Sequence, residues 1–155
     1  MDLRQLLKNH PTFEVASDRK RDILAQSMQI VSFPQGRTIL EQGKPGEGMY
    51  LVTEGIVRVT TTDDAAGLLQ SKELTEGDLF GLLGLVPNMP SSATAVAVTD
   101  VRAAMLSRYA FEQLFPQAPA LARQLQYMVA IQLARALQDK NRALRALLRQ
   151  SVTAT

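Results

Sequence analysis

The chain of 155 residues contains no cysteine. Disulfides, iron–sulfur clusters and thiolate zinc sites are therefore excluded, and we expect a reducing, cytoplasmic location. No apolar run approaches the ~20 residues that a membrane-spanning helix needs, and the N-terminus lacks the apolar segment of a signal peptide. The sequence therefore predicts a soluble protein with no membrane span.

Side chains that commonly carry catalysis are also scarce. The one histidine, His10, stands beside Pro11 at the end of a short predicted helix, where a histidine is usually a surface or cap residue. No nucleophile, base and orienting group form a recognisable set. The glycine-rich residues 42–48 lack the Gly-Lys-Ser/Thr ending and the following helix of a P-loop, so they predict a surface loop. We expect no catalytic residue, no metal site and no enzymatic activity.

Charge is distributed unevenly along the chain. Residues 1–116 contain 14 acidic and 11 basic residues, whereas residues 117–155 contain six basic residues and one acid, Asp139; together these make the 15 and 17 of the whole chain. We therefore expect two parts. Residues 1–116 would form a mildly acidic body with N-terminal helices, and residues 117–155 a long, basic C-terminal helix.

Hydrophobic periodicity places helices at both ends of the chain and strands between them. Leu3, Leu6 and Leu7 define one face of a short helix, and Ser17 is predicted to cap a second helix. Over residues 28–106, eight or so short strands alternate with turns that contain glycine or proline. This pattern favours a mainly β fold, a barrel or jelly roll, with flanking helices.

A long helix is predicted from Pro119 to about residue 149, because no glycine or proline interrupts the chain after Pro119 and Ala, Leu, Gln and Arg dominate. Its first half, with Leu121, Leu125 and Met128, is expected to cover the body. Leucines then form one seam over two heptads, and they are Leu133, Leu137, Leu144 and Leu147. Three arginines share a heptad position opposite this seam, namely Arg135, Arg142 and Arg149. We expect the seam to form a homodimer; the alternative is that its leucines also pack within the same chain.

The most informative stretch is residues 77–100, GDLFGLLGLVPNMPSSATAVAVTD. Gly77, Gly81 and Gly84 permit backbone conformations that other residues avoid. N–H groups near Gly81 would lie at the start of a short helical turn, a place that attracts anions and phosphate above all. The stretch therefore predicts an anion-binding turn between two strands.

This stretch resembles the phosphate-binding cassette of the cyclic-nucleotide-binding domains, a family that includes catabolite activator proteins, kinase regulatory subunits and cyclic-nucleotide-gated channels. The family pattern runs roughly Gly-x-x-Phe-Gly-Glu-Leu-Ala-Leu, a loop, and then Pro-Arg-Ser/Thr-Ala-Thr. The residues that match it are Phe80, Gly81, Leu83, Gly84, Leu85, Pro90, Ser92, Ala93 and Thr94. Leu-Leu-x-x-His-Pro-x-Phe at residues 6–13 is likewise a common entry to this fold. The resemblance covers about residues 3–137 and implies a double-stranded β-helix, or jelly roll, with a long C-terminal helix.

Two cassette positions depart from the family pattern. Leu82 stands where the family has a glutamate that holds the ribose hydroxyl, and Ser91 stands where it has an arginine that pairs with the cyclic phosphate. A leucine side chain accepts no hydrogen bond, and losing the arginine removes charge-assisted contacts. The candidate ligand-binding residues that the resemblance implies are Gly81, Leu82, Leu83, Gly84, Ser91, Ser92 and Ala93. We expect cyclic AMP and cyclic GMP to bind weakly, and a different, less charged ligand, or none, is favoured.

Two kinds of group could still contact a ligand at this site: neutral hydrogen-bond donors in the cassette, and cations from elsewhere in the sequence. The backbone N–H groups of Leu83 and Gly84 and the hydroxyls of Ser91 and Ser92 are expected to be available as neutral donors. The cations considered as substitutes for the missing arginine are Arg58, Lys72, Arg102 and Arg123.

These observations predict a non-enzymatic regulatory or sensor module, dimeric, that signals through its C-terminal helix to an unidentified protein partner. The alternative is a ligand-independent scaffold that oligomerises through the β-roll and helix, and a cavity closed by Leu82, Leu83 and Leu85 would favour it. Transcription regulators of the family carry a helix-turn-helix domain after the long helix, and the sequence ends at Thr155. We therefore expect no sequence-specific DNA binding, and at most weak, salt-sensitive contact of the basic tail with nucleic acid or acidic membranes.

Overall fold

Strands fill the middle of the chain and helices flank them, as the periodicity predicts. The computed structural model describes residues 2–63 and 68–153. Within these ranges the helices are α1 (Leu3–Asn9), α2 (Asp18–Ser27), α3 (Arg108–Gln117) and α4 (Pro119–Thr153). The strands are β1 (Gln29–Phe33), β2 (Thr38–Leu40), β3 (Gly48–Glu54), β4 (Val57–Asp63), β5 (Leu68–Leu74), β6 (Leu79–Phe80), β7 (Thr94–Ala97) and β8 (Val101–Ser107). A 3₁₀ turn at Leu82–Leu85 separates β6 from β7.

The strands form two antiparallel four-stranded sheets. One has the order β1-β8-β3-β6 and the other the order β2-β7-β4-β5. Neighbours within a sheet come from distant parts of the chain; β3, for example, pairs with β8 from Gly48 opposite Ser107 to Glu54 opposite Arg102. The jelly-roll prediction is confirmed.

Two hydrophobic clusters share the first sheet. On β3, Met49 and Leu51 face a cluster formed largely with the helices, whereas Tyr50 and Val52 face a cluster inside the roll. Side chains alternate across a strand, so a strand whose neighbours cover both faces is buried along most of its length. The sheet therefore separates the helical cluster from the interior of the roll and packs against both. Its edge strand, β6, leads directly into the cassette turn.

Short polar side chains start the helices where the sequence places them. The Ser17 hydroxyl accepts a hydrogen bond from the Lys20 N–H at 3.3 Å, which caps α2 as predicted. The Ser107 hydroxyl accepts one from the Ala110 N–H at 3.1 Å at the start of α3. Leu6 and Leu7 of α1 are buried, and Leu3 packs partly buried against the same cluster.

Arg21 of α2 is a buried charged residue, with only 7% of its surface exposed. Its guanidinium donates to the backbone carbonyls of Phe13 (3.1 Å) and Glu14 (3.2 Å) and also contacts the Ala16 carbonyl and the Asp18 carboxylate. These carbonyls belong to the turn between α1 and α2, where no helix ladder supplies partners. Arg21 therefore fixes the turn that the sequence marks only by Pro11.

The two C-terminal helices are longer than predicted. α3 passes Pro116 and ends at Gln117, where the Ala118 N–H donates to the Leu114 carbonyl at 2.8 Å. A proline in the last turn leaves the carbonyl four residues earlier without its donor, and exposed Glu112 keeps that carbonyl near water. α4 continues to Thr153 because no residue beyond position 149 breaks a helix.

The seam of α4 divides at Leu133. Leu121 and Leu125 are buried and Met128 is partly buried, as expected for a helix that covers the body. Leu133 also packs against the helical cluster. The remaining seam residues are more than half exposed: Leu137 61%, Leu144 55% and Leu147 53%. The second half of α4 therefore presents a leucine row that the described part of this chain does not cover.

Candidate functional site

The cassette turn begins at a left-handed glycine. β6 hydrogen-bonds to β3, with Phe80 opposite Tyr50, and the two rings stack with centroids 5.0 Å apart. Gly81 then adopts φ 77° and ψ 22°, a conformation that costs a residue with a Cβ about 1–2 kcal/mol. The first N–H groups of a helical turn have no partner within it. Those of Leu82 and Leu83 are therefore the backbone donors that this turn offers.

Gly84 lets the turn lie directly on β3. A Cβ built on Gly84 would stand 2.5 Å from the Gly48 carbonyl oxygen and 2.8 Å from the Gly48 nitrogen. No side chain can occupy that space without moving backbone. The expectation that the Gly84 N–H is available to a ligand is wrong, because it donates to the Gly81 carbonyl at 2.9 Å and closes the 3₁₀ turn.

Ser91 is engaged by its own loop. Its hydroxyl lies 2.7 Å from the Ala93 carbonyl oxygen, to which it donates. Its backbone N–H donates to the Lys44 carbonyl and its carbonyl accepts from the Gly43 N–H, both at 2.9 Å. The hydroxyl proton expected to be available at the family's arginine position is thus already used. These backbone bonds also pin the glycine-rich loop, confirmed as a loop without a following helix, to the rim of the cassette.

An open cavity of about 520 Å³ lies beside the cassette. All seven candidate residues stand on its wall. The apolar part of the wall includes Leu40, Val59, Leu74, Leu79, Phe80 and Ala95. The polar part includes Thr61, Gln70, Ser71, Lys72, Gln132 and Arg135. Pockets of roughly 300–1,000 Å³ with apolar walls and a few polar groups are typical of small-molecule sites.

Two cations and no acid stand on this wall among the residues that the structure describes. Lys72 lies on β5 opposite Val59 of β4. Residues two apart on a strand share a face, so Lys72 continues the inward face that begins with buried Leu74. Arg135 comes from α4, one helical turn after Gln132, and residues three apart share a helix face. The wall therefore carries positive charge from two separate elements.

Of the four substitute cations considered, Lys72 alone lines the cavity in the described part of the chain. Arg58 points to the other face of the sheet and pairs with Glu73 at 3.2 Å. Arg102 and Arg123 are exposed and stand away from the wall. The sequence places Arg135 only by its heptad position, opposite the seam. The packing of Met128, two helical turns earlier on the same face of α4, turns this position toward the cavity. This contact joins distant parts of the chain, which spacing does not reveal.

Two groups near the cassette have shifted pKa values. Burial, assisted by the charge of Glu47, raises the pKa of the Tyr50 phenol, so this ring stays neutral. Burial lowers the pKa of His10, and the charge of Asp78 partly opposes that shift. His10 caps α1, and its Nδ1 accepts from the Thr12 N–H at 3.1 Å. It therefore occupies the cap position predicted for it.

Across residues 2–63 and 68–153, no three His, Asp or Glu side chains come together as metal ligands. No helix in those ranges is both long and apolar enough to cross a bilayer.

The jelly roll, the glycine-built turn and the long helix that follows define a β-roll of the cyclic-nucleotide type. Residues 30–118, more than half of the chain, match the family model described as the cyclic nucleotide-binding domain. The chain belongs to this family.

Three known proteins illustrate the similarity. A cAMP-dependent protein kinase regulatory subunit from Aspergillus fumigatus is 31% identical over 121 residues, 78% of this chain and 29% of the relative. A CRP-like cAMP-activated global transcriptional regulator from Mycobacterium tuberculosis is 30% identical over 114 residues, 72% of this chain and 50% of the relative. The structure of Thermus thermophilus catabolite activator protein matches with a TM-score of 0.69 and 33% identity, over 88% of this chain and 62% of that one. The matched part of the chain thus spans half or less of the length of the kinase regulatory subunit and of the transcriptional regulator.

Proposed function

We propose that this chain is a non-enzymatic regulatory module, acting in the cytoplasm, that binds a small ligand beside the cassette with a weakened or altered preference for cyclic nucleotides. In this proposal residues 1–116 sense the ligand. Residues 117–155 dimerise and pass the response to a protein partner. The kinase subunits and transcription regulators named above are regulatory proteins of the same family, which supports a regulatory role.

One observation carries the proposal: the cavity is open while both family contacts to sugar and phosphate are absent. Leu82 and Ser91 stand on its wall at the glutamate and arginine positions. Two hydrogen bonds to a charged group contribute together about 3–5 kcal/mol, which corresponds to about a hundred- to several-thousandfold in affinity. The Ser91 hydroxyl does not compensate, because it donates to Ala93.

The open cavity also favours a sensor over a ligand-independent scaffold. The scaffold alternative expects Leu82, Leu83 and Leu85 to close the site. Leu83 and Leu85 are instead buried in the body, and Leu82 is half-buried at the edge of the open space.

The exposed leucine row of α4 supports the dimeric part of the proposal. A heptad seam with alanines beside it suits a two-stranded coiled coil, and three of the seam leucines, Leu137, Leu144 and Leu147, are more than half exposed. Because α4 contributes Gln132 and Arg135 to the cavity wall, a ligand there would touch the element that dimerises. Ligand occupancy would then bias the helix directly.

Isothermal titration of the full chain with cyclic AMP and with cyclic GMP tests the proposal. We expect dissociation constants well above about 1 μM for both, consistent with the lost contacts. Sub-micromolar binding of either nucleotide would overturn the altered specificity. If the protein has the mass of a single chain at every concentration, the proposed dimer is wrong. The titration still tests ligand binding independently.

A further inference from the structure

The cavity wall contains two cations from elements far apart in sequence, Lys72 and Arg135. Lys72 stands on the inward face of β5, and Arg135 stands on α4 beyond the point where Leu133 packs against the body. Neither forms an ion pair within the described residues. In contrast, Arg58 on the outer face of the same sheet pairs with Glu73.

The surroundings of these cations differ from those of ordinary surface charges. Leu74, Phe80 and Leu82 form apolar wall beside them, and no acidic residue lies on the described wall. Charges next to apolar walls interact more strongly than charges in open water. A cavity whose charged groups all carry one sign attracts ligands of the other sign.

We propose that the cavity binds a small organic phosphate whose charge is held between Lys72 and Arg135 rather than by the cassette. Arg presents a planar fork that matches phosphate oxygens, and Lys supplies a compact point charge. The apolar body of the ligand lies against Leu74, Phe80 and Leu82. This inference rests on the proposed function and names the ligand class of the same site.

The position of the two cations gives the phosphate a mechanical role. Lys72 belongs to the roll and Arg135 belongs to α4, so a phosphate that contacts both joins the helix to the roll. In this arrangement the phosphate of the ligand, and not its base or sugar, contacts α4 and holds it against the roll.

The experiment compares a charged and an uncharged probe on the full chain. Cyclic AMP and adenosine share a base and ribose ring but only the first carries phosphate. NMR titration up to about 10 mM covers millimolar affinities. The variants are Lys72→Gln and Arg135→Gln, with Arg58→Gln and Arg142→Gln as controls, one on the outer face of the same sheet and one at the same heptad position one repeat later.

We expect cyclic AMP to bind more tightly than adenosine and to shift the amide resonances of Lys72, Gln132 and Arg135. Each test substitution should weaken cyclic AMP about three- to tenfold, as for partly exposed charge contacts, while adenosine and both controls change less than about twofold. Hydrogen exchange around residue 135 should slow with cyclic AMP in the wild type but not in Arg135→Gln. All four positions are exposed, and a thermal melt of each variant checks that it folds.

The other outcomes separate this inference from the proposed function. If cyclic AMP leaves those three resonances unmoved, or binds no better than adenosine, the phosphate site is overturned while a sensor for an uncharged ligand survives. If the control substitutions weaken cyclic AMP as much as the test substitutions, the pair has no special role. Sub-micromolar binding that Arg135→Gln abolishes would support the cation pair and overturn the weakened nucleotide affinity.

Discussion

Gly84 lies against the backbone of Gly48 so closely that a Cβ on residue 84 would stand 2.5 Å from the Gly48 carbonyl oxygen. We expect Gly84→Ala to lower the free energy of unfolding by about 1–3 kcal/mol, because backbone must move to admit the methyl group. Gly46→Ala is the control on the same wall: its Cβ would meet the flexible end of Leu40 at 3.3 Å, and the loss should stay below about 1 kcal/mol. Urea unfolding measures both, and equal losses would contradict the close approach.

Restoring the family's charged contacts should restore nucleotide affinity. We expect Leu82→Glu with Ser91→Arg to tighten cyclic AMP binding at least about a hundredfold over the wild type, since two charge-assisted contacts return to an open cavity. The control is Leu82→Gln with Ser91→Gln, which adds polar side chains of similar reach without charge. Calorimetric titration measures all three. If the charged pair gains no more than the neutral pair, the wall cannot seat a nucleotide, and the scaffold alternative would be preferred.

The leucine row of α4 predicts the oligomeric state. Burying a leucine stabilises by about 1.5–3 kcal/mol, so Leu137→Gln with Leu144→Gln should raise the dimer dissociation constant at least about a hundredfold. Sedimentation equilibrium should find twice the 17.0 kDa chain mass for the wild type and the single-chain mass for the variant. Leu69→Gln removes a leucine that is 66% exposed on β5, outside the seam, and should leave the dimer intact. A dimer that survives the double substitution would place the interface elsewhere.

His10 predicts how stability depends on pH. Its folded pKa lies below the ordinary value of about 6.5, chiefly because it is buried. The unfolded chain therefore binds the proton more readily, and stability is retained above that ordinary value and lost as the pH falls toward the folded pKa. Protonation would also remove the Nδ1 acceptor that the Thr12 N–H uses.

The matched substitution is His10→Asn, whose carbonyl oxygen can take the place of Nδ1 without titrating. Urea unfolding between about pH 8 and about pH 5 should show a loss in the wild type that this variant lacks. Asp78→Asn, which removes the charge that raises the pKa, should leave the onset of the loss near the ordinary value, but make the loss larger and extend it to lower pH. Parallel curves for wild type and His10→Asn would exclude His10 as the source.

Local chemistry made much of the fold predictable. Ser17 is a helix cap because its hydroxyl reaches the N–H three residues on, and that rule needs only neighbours in sequence. The glycine turn of the cassette follows equally from Gly81, since few other residues adopt a positive φ. The ends of α3 and α4 lie beyond the predicted ones, because proline and exposed residues leave helix ends weakly specified.

Relations between distant segments were the part that spacing did not reveal. Lys72 was one of four cations considered, and only the pairing of β5 with β4 places it on the inner face. Arg135 reaches the same wall because Met128, two helical turns earlier on the same face of α4, packs against the body. Arg21 carries no sequence signal for burial either, since apart from Asp18 its partners are main-chain carbonyls of a turn.

Among the described residues, Leu133 is also the last residue of α4 that packs against the helical cluster. The 20 residues from there to Thr153 span about 30 Å at a rise of 1.5 Å each, so in the proposed function this segment would act as a lever with its fulcrum beside the cavity. A tilt of about 5° at the fulcrum would carry the tip about 2.6 Å, roughly half the pitch of a helix. A small movement of α4 beside the cavity would thus become a larger one at its C-terminal end, where the proposed partner would detect it.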